Sequence, residues 1–522
     1  MKKINAIIMA SLMATSMLGA TACGGGNSDV PGNVTADKYK ITIACQTEMG
    51  EEEVLNVLKK AYEAKYTDRE IEVKTFSGES YEQYMLGIAA DKASSPNIIW
   101  TADTLHSQWD QYYIDLRPYY EASAETDYTL FYESMLDAAA TNGVFKPTTK
   151  YSGAYASEKS DSAENGLYYA PRDYNKPALL CNTHLFAELD SEYETVYKKV
   201  TGATEMPADY VAASTRLADI VAGNDWNEMN DLYVFSRFIA EKMVYIINNA
   251  QDDRNLARKW TQRAVLNLFI EWEPTYTTLM YDAGVDLIGE DGSLNIAPVE
   301  KFEAIHEGLF PSDNEDVSKY MTTTNNGISF SSGNLFMSVC SRPVVLGYGS
   351  TFRKAYGDTY LETIQFPVEY IAAGNSGYAI SRVYDGKGVT VKGEYKSYND
   401  LSWDFIKFII TEEGQEVAGA TGLNIPVLKK LYSAETNGGV MPAWRKVESL
   451  GNMNHEAWVA GKELRQDTYN IFKAEKRSAF RNVVRTFFTN MQKNNYNEGS
   501  LDKLIYETVR VYNLQNPNSN LR

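Results

Sequence analysis

Apolar positions early in the chain alternate between strand-like and helix-like spacing. Tyr39 to Ala44 is an apolar run of strand length, and Glu51 to Tyr66 places Val54, Leu58, Ala61 and Tyr62 on one helical face. From Ile71 to Phe76 the period becomes two, with Ile71, Val73 and Thr75 set against Glu72 and Lys74. Tyr81 to Lys92 predicts a second helix, and Pro96-Asn97-Ile98-Ile99-Trp100 a third strand. A β-α-β-α-β series of this kind predicts an α/β fold, a sheet with helices on its faces. Ligands of such sheets gather at the carboxyl ends of the strands. One crevice should therefore be lined by Gln46, Thr47 and Glu48, by Ser77 and Gly78, and by Trp100 to Asp103.

Further along, Asn224 to Trp272 and Trp444 to the end carry mainly helical patterns. Asn399 or Asp400 is placed to cap a helix bearing Leu401, Phe405, Phe408 and Ile409, and Ser500 precedes a similar pattern from Leu501 to Tyr512. Lys146 to Asn165, rich in Ser, Thr, Lys and Tyr, reads as a surface insertion. The chain has no internal repeat. Gly24 to Gly26 precedes any strand, so it does not form a phosphate loop.

The first residues follow a different logic. Lys2 and Lys3 precede an apolar stretch from Ile4 to Leu18, interrupted only by Asn5, Ser11, Thr15 and Ser16. It is short for a bilayer span and has the form of a signal-peptide core. Leu18-Gly19-Ala20-Thr21-Ala22-Cys23 resembles a bacterial lipobox, whose cysteine is acylated and becomes the first residue after cleavage. Ala20 departs from the leucine usual at that position, and Ala20-Thr21-Ala22 also satisfies ordinary secretory cleavage. Gly24-Gly25-Gly26-Asn27-Ser28 supplies a flexible tether. The expected layout is a signal peptide at 1–22 and a tether at 23–36, with Cys23 anchoring the protein to the membrane through lipid.

Composition narrows the partners. With 50 Lys and Arg against 69 Asp and Glu, the net charge of −19 argues against nucleic acid and against a basic membrane-surface patch. Cys45, Cys181 and Cys340 each end an apolar run, and their odd number and wide spacing fit neither a disulfide framework nor a zinc site. They are expected as small buried hydrophobes. His106, His184, His306 and His455 are isolated, so neither a metal nor a cofactor is expected.

Six blocks in order carry a family resemblance: YKITIACQTEMGEEEVLNVLKKAYEAKY, NIIWTADTLHSQWDQYYIDLRPYY, NGLYYAPRDYNKPALLCNTHLF, FSSGNLFMSVCSRP, QFPVEYIAAGNSGYAIS and WDFIKFIITEEGQEVAGATGLNIPVLKKL. Together they resemble the extracellular solute-binding proteins that serve sugar ABC importers, the maltose-binding protein among them. The resemblance implies a two-lobed periplasmic-binding-protein-like fold with a hinge and an interlobe ligand cleft. It implies an N-terminal lobe of 37–172 plus 375–424 and a C-terminal lobe of 175–374 plus 425–522. Hinge closure on the ligand would be the working motion. The expected function is capture of a carbohydrate, an oligosaccharide above all, by a monomer on the extracytoplasmic face of the bacterial cell membrane, with delivery to the permease subunits of an ABC transporter.

Sugars present hydroxyls around an apolar ring face, so their sites combine aromatic planes with carboxylates, amides or arginine. Trp100 and Asp103, at a strand end beside Gln46, meet this and resemble sugar-contacting residues of the family. Core packing for Trp100 and helix capping for Asp103 are the alternatives. Arg172, Asp173 and Asn175 lie at the first crossing between lobes, where a surface ion pair is the alternative for Arg172 and Asp173. Trp272, Glu273 and Tyr276 resemble a Glu-Pro-aromatic segment of the second lobe, with core packing again the alternative. Tyr378 belongs to the second crossing, beside Gly377, which serves backbone geometry. Arg342 and Arg481 stand where the maltose-binding protein has stacking tryptophans, and would suit an anionic or strongly hydrogen-bonding ligand.

The rival class is a secreted glycosidase with paired carboxylates. Glu271 and Glu273 point apart on a helix, and on one strand they lack an opposing partner. A Ser-His-Asp hydrolase is disfavoured by the absence of a Gly-x-Ser-x-Gly elbow. The expectation is a binding protein, not an enzyme.

Overall fold

The computed structural model describes residues 37–47, 50–91, 94–102, 109–140, 145–153, 159–174, 177–223, 226–250, 252–269, 275, 278–279, 282, 299–322, 329–356, 361–368, 370–372, 375–447, 454–458, 463–465, 503, 506, 510 and 513–514. Strands are numbered along the chain as β1 to β13. The first sheet has the order β2-β1-β3-β10-β4. Here β1 is Tyr39–Gln46, β2 Arg69–Phe76, β3 Ile98–Ala102, β4 Ala170–Pro171 and β10 Ser376–Ile380. β1 runs parallel to β2 and β3, while β10 runs antiparallel between β3 and β4.

The second sheet has the order β6-β7-β5-β8. Its strands are β5 Ala178–Asn182, β6 Ala264–Asn267, β7 Leu335–Cys340 and β8 Leu361–Ile364. Two small pairs complete the set, β11 (Gly388–Val391) with β12 (Glu394–Ser397), and β9 (Tyr370–Ala372) with β13 (Glu463–Arg465).

The opening pattern folds as its periodicity predicts. Helix α1 (Glu51–Lys65) buries Val54, Leu58 and Tyr62, and α2 is Gly78–Ala90. Two local readings change. Within the stretch read as helical, Ala264–Asn267 is the strand β6, whose four residues are too few to show a period. The later helix begins at Tyr398 and is capped by Ser397, whose hydroxyl accepts from the Asp400 N–H at 3.0 Å. Asn399 is occupied elsewhere, donating to Asp385 at 2.7 Å. The insertion around 146–165 is stitched to the body by buried Arg117, which donates to the carbonyls of Lys146, Ser160 and Ser162.

Each sheet organises a core. In the second lobe, α3 (Thr183–Thr201) and α4 (Met229–Asn249) pack Leu185, Phe186, Phe235 and Ile239 against Leu179, Cys181, Phe336 and Met337. Strand alternation sends Ala178 and Leu180 to the opposite face, where, with Leu335 and Cys340 from the two ends of β7, they join a core continuous with the first lobe. Cys45, Cys181 and Cys340 are all buried free thiols, as their apolar surroundings predict.

The connections fix how the sheets face each other. β4 ends at Pro171 and β5 begins at Ala178, so a six-residue link joins the two sheets. Such a link spans at most roughly 20 Å. A second link runs from the end of β8 to the start of β10. Both leave from the same edge of each sheet, the edge where β1, β2 and β3 end on one side and β6, β7 and β8 end on the other.

The change of lobe expected after residue 424 falls later in the chain. Leu428 bridges Phe131, the Tyr174 N–H donates to the Ile425 carbonyl at 2.9 Å, and the Val427 N–H donates to Gln415 at 2.8 Å. Residues 425–447 thus pack on the first lobe. Asn454 is the first described residue on the second, donating to Glu362 at 2.8 Å beside β8.

Candidate ligand-binding site

At the facing edge of the first sheet, Gln46 closes β1 and pairs in register with Phe76 at the end of β2. Both are half-buried. The Phe76 ring stacks on Tyr84 with centroids 4.2 Å apart and planes at 19°. Gln46 keeps the position its sequence context predicts; Phe76 is an aromatic at that edge that strand alternation alone does not single out.

Arg172 and Asp173 have a different role from the one expected. Arg172 is 2% exposed and sits in a polar network. Its Nη2 donates to Glu51 at 2.6 Å, to the Ser376 hydroxyl at 3.1 Å and to Asp173 at 3.3 Å, while Nη1 donates to Asn424 at 2.7 Å. Asp173 in turn accepts from the Ser376 N–H at 2.7 Å. The pair is neither a surface ion pair nor a ligand-facing group, because its hydrogen-bonding capacity is directed into the protein. Burial pushes the Glu51 carboxyl above its ordinary value while the Arg172 charge pulls it down. Although burial opposes the Arg172 charge, Glu51 and Asp173 hold that guanidinium above its usual range. Sequence reading missed Glu51, Ser376 and Asn424, since nothing local marks partners more than a hundred residues apart.

Trp100 is likewise a core residue. It is 4% exposed, meets Tyr81 edge-on at 5.6 Å, and its carbonyl accepts from the Tyr81 hydroxyl. Tyr378 pairs with it in register across β3 and β10 and is fully buried. The backbone there is close-packed, for a Cβ on Gly377 would stand 2.0 Å from the Ala170 carbonyl oxygen. Trp100 and Tyr378 therefore form the floor beneath the edge, not a stacking surface on it.

Arg342 opens α5 (Arg342–Tyr356) directly after β7 and is 1% exposed. Nε donates to the Gly422 carbonyl at 2.9 Å and Nη2 to the Trp444 carbonyl at 2.6 Å. Nη1 lies 3.1 Å from His455 Nδ1. Arginine cannot accept, so Nδ1 is the acceptor and the His455 proton resides on Nε2. Burial first, then Arg342 and Arg445, push His455 down to about 4. Burial and the neighbouring Arg445 bring Arg342 itself down to about 9. Each of its three nitrogens bonds to the protein and the side chain is buried, so it does not present a guanidinium to a ligand.

On the facing edge of the second sheet, Phe269 follows β6 with φ 44°, the left-handed region that a bulky residue occupies under strain. Asn267 accepts its N–H at 2.9 Å. The expected contacts Asp103, Asn175, Trp272, Glu273, Tyr276 and Arg481, and the acylation site Cys23, lie outside the described residues.

Two sheets joined by short links from facing edges define the two-lobed fold of solute-binding proteins of the maltose-binding type. Solved structures share it along nearly the whole chain. T. maritima MalE3 with maltose bound has a TM-score of 0.54 at 12% identity, covering 91% of this chain and 99% of its own. The GacH receptor of Streptomyces glaucescens, solved unliganded and with acarbose, reaches 0.56 at 14% identity, covering 92% and 100%. An ABC substrate-binding protein of Listeria monocytogenes in complex with cycloalternan reaches 0.53 at 13%, covering 92% and 99%. Neither a protein-family model nor a curated protein sequence matches the chain.

Proposed function

We propose that this chain is the extracytoplasmic carbohydrate-binding component of an ABC importer, anchored by lipid on Cys23. It captures an oligosaccharide between its lobes as a monomer and delivers it to the permease, without chemical conversion. The observation that carries this reading is the pair of facing sheet edges joined by short links, the fold of proteins solved with maltose, acarbose and cycloalternan. The proposed lobes are 37–172 with 375–447, and 175–374 with 454–522.

The proposed contacts are Gln46, Phe76 and Asp103 from the first lobe, with Asn175 at the link. Trp272, Glu273, Tyr276 and Arg481 contribute from the second. Strain at Phe269, which costs about 1–3 kcal/mol, supports a site where β6 hands over to the segment carrying Trp272 and Glu273.

A panel of mono- and oligosaccharides tests the ligand class. A bound sugar at about 100 times its dissociation constant adds about 2.7 kcal/mol of stability and raises the melting temperature. The sugar should be recovered intact. Release of shorter products would identify a glycosidase, and no shift across the panel would remove carbohydrate as the ligand. Replacing Cys23 with alanine should release the protein into the medium or leave its precursor uncleaved; a processed, membrane-bound variant would contradict the anchor.

A further inference from the structure

Two buried arginines hold the stretch from Gly422 to Asn424, and they do so from different lobes. The partners of Arg172 (Glu51, Asp173, Ser376 and Asn424) all belong to the first lobe or its end of the links. Lobe motion leaves that set intact.

Arg342 is arranged otherwise. Its backbone continues from β7 in the second lobe, yet two of its donors end on carbonyls of Gly422 and Trp444. Those residues are fixed to the first lobe. The Ala443 N–H donates to Glu416 at 2.8 Å, and a Cβ on Gly419 would touch Trp444 at 3.1 Å; both Glu416 and Gly419 lie in helix α7 (Glu412–Gly419), after α6 (Tyr398–Ile410). The guanidinium also lies over the Trp444 ring, 5.1 Å from its centroid. Its third donor reaches His455, whose neighbour Asn454 is bonded to Glu362 and Thr363 of β8. One side chain thus joins second-lobe strands to first-lobe carbonyls.

Building on the two-lobed receptor reading, we propose that Arg342 is an interlobe tether, a positioning residue that sets the resting separation of the lobes without touching ligand. Its own acceptors among the described residues are neutral, and beside it an ion pair from Arg445 to Glu456 at 2.5 Å also joins the two lobes. The planar fork serves three acceptors at once, which a lysine ammonium on a flexible stem cannot reproduce. Gly422 has a positive φ of 78°, and a Cβ there would stand 2.8 Å from Val447, so the carbonyl that meets Arg342 belongs to a position that admits no side chain.

The test needs no ligand. Spin labels on cysteines introduced at exposed Glu53 of the first lobe and exposed Lys199 of the second report the interlobe distance by electron–electron double resonance. Arg342→Lys keeps the buried charge but loses the fork, so its distance distribution should broaden and shift away from the wild-type mean. His455→Phe removes one acceptor and should shift it in the same sense by less, with Arg342 intact. Wild-type distributions in both variants, accompanied only by lower melting temperatures, would overturn the tether and leave Arg342 a packing residue. Because every sample is unliganded, this result is independent of whether any sugar binds.

Discussion

Replacing Arg172 with methionine should destabilise the unliganded protein by about 3–5 kcal/mol, the cost of breaking a buried ion pair from one side. The side chain is close in volume, so the penalty comes from charge. Glu51 and Asp173 would be left facing each other in a buried space with only Ser376 as a shared donor. Two neighbouring carboxylates cannot both stay ionised there, and at least one takes up a proton on folding. A carboxyl whose folded value is raised contributes stability as pH falls through that value and loses it as pH rises. The deficit of the variant relative to wild type should therefore shrink on acidification from about pH 8 to about pH 5, the span over which buried carboxyls titrate. Chemical denaturation across that range checks both statements. An unchanged melting temperature with weakened sugar binding would restore Arg172 to the cleft.

Trp100 gives the second large effect. Trp100→Ala removes a ring packed against Tyr81 within a core that includes Ile99, Tyr113 and Tyr378. A truncation of this kind costs about 3–5 kcal/mol, through lost transfer energy and the cavity left behind. The unliganded protein should melt lower and unfold at lower denaturant concentration. A sugar-stacking role for Trp100 would give the reverse, impaired ligand binding with normal stability of the unliganded protein, and that result would return Trp100 to the cleft.

The contrast between these residues and Gln46 shows what a sequence makes legible. Period-2 and helical spacing placed β1, α1, β2 and β3 well, because burial of one face imposes those periods locally. The same local pattern puts Gln46 at the carboxyl end of β1, as the structure has it, without any knowledge of distant chain. It also placed Trp100 at a strand end, but the same alternation permits a side chain to point into the core or toward the edge. Only the register of β3 with β10, which sets Trp100 beside Tyr378, decides it.

Arg172 and Arg342 were out of reach for a related reason. Their partners lie at Glu51, Ser376 and Asn424, and at Gly422, Trp444 and His455, brought together by crossings that no local pattern encodes. Buried arginine and cleft arginine look alike in a linear chain. The lobe boundary was missed similarly: Ile425 to Leu431 contains apolar residues suited to either lobe, and hydrogen bonds to Tyr174 and Gln415 assign it to the first.

The central claim is that ligand draws two lobes together, which requires contacts made better in the closed arrangement than in the open one. Small-angle scattering of the protein before and after saturation with a sugar from the thermal-shift panel measures this directly. The radius of gyration should be smaller with sugar present, at unchanged mass. An identical radius at full saturation would contradict closure and make the chain a rigid binder.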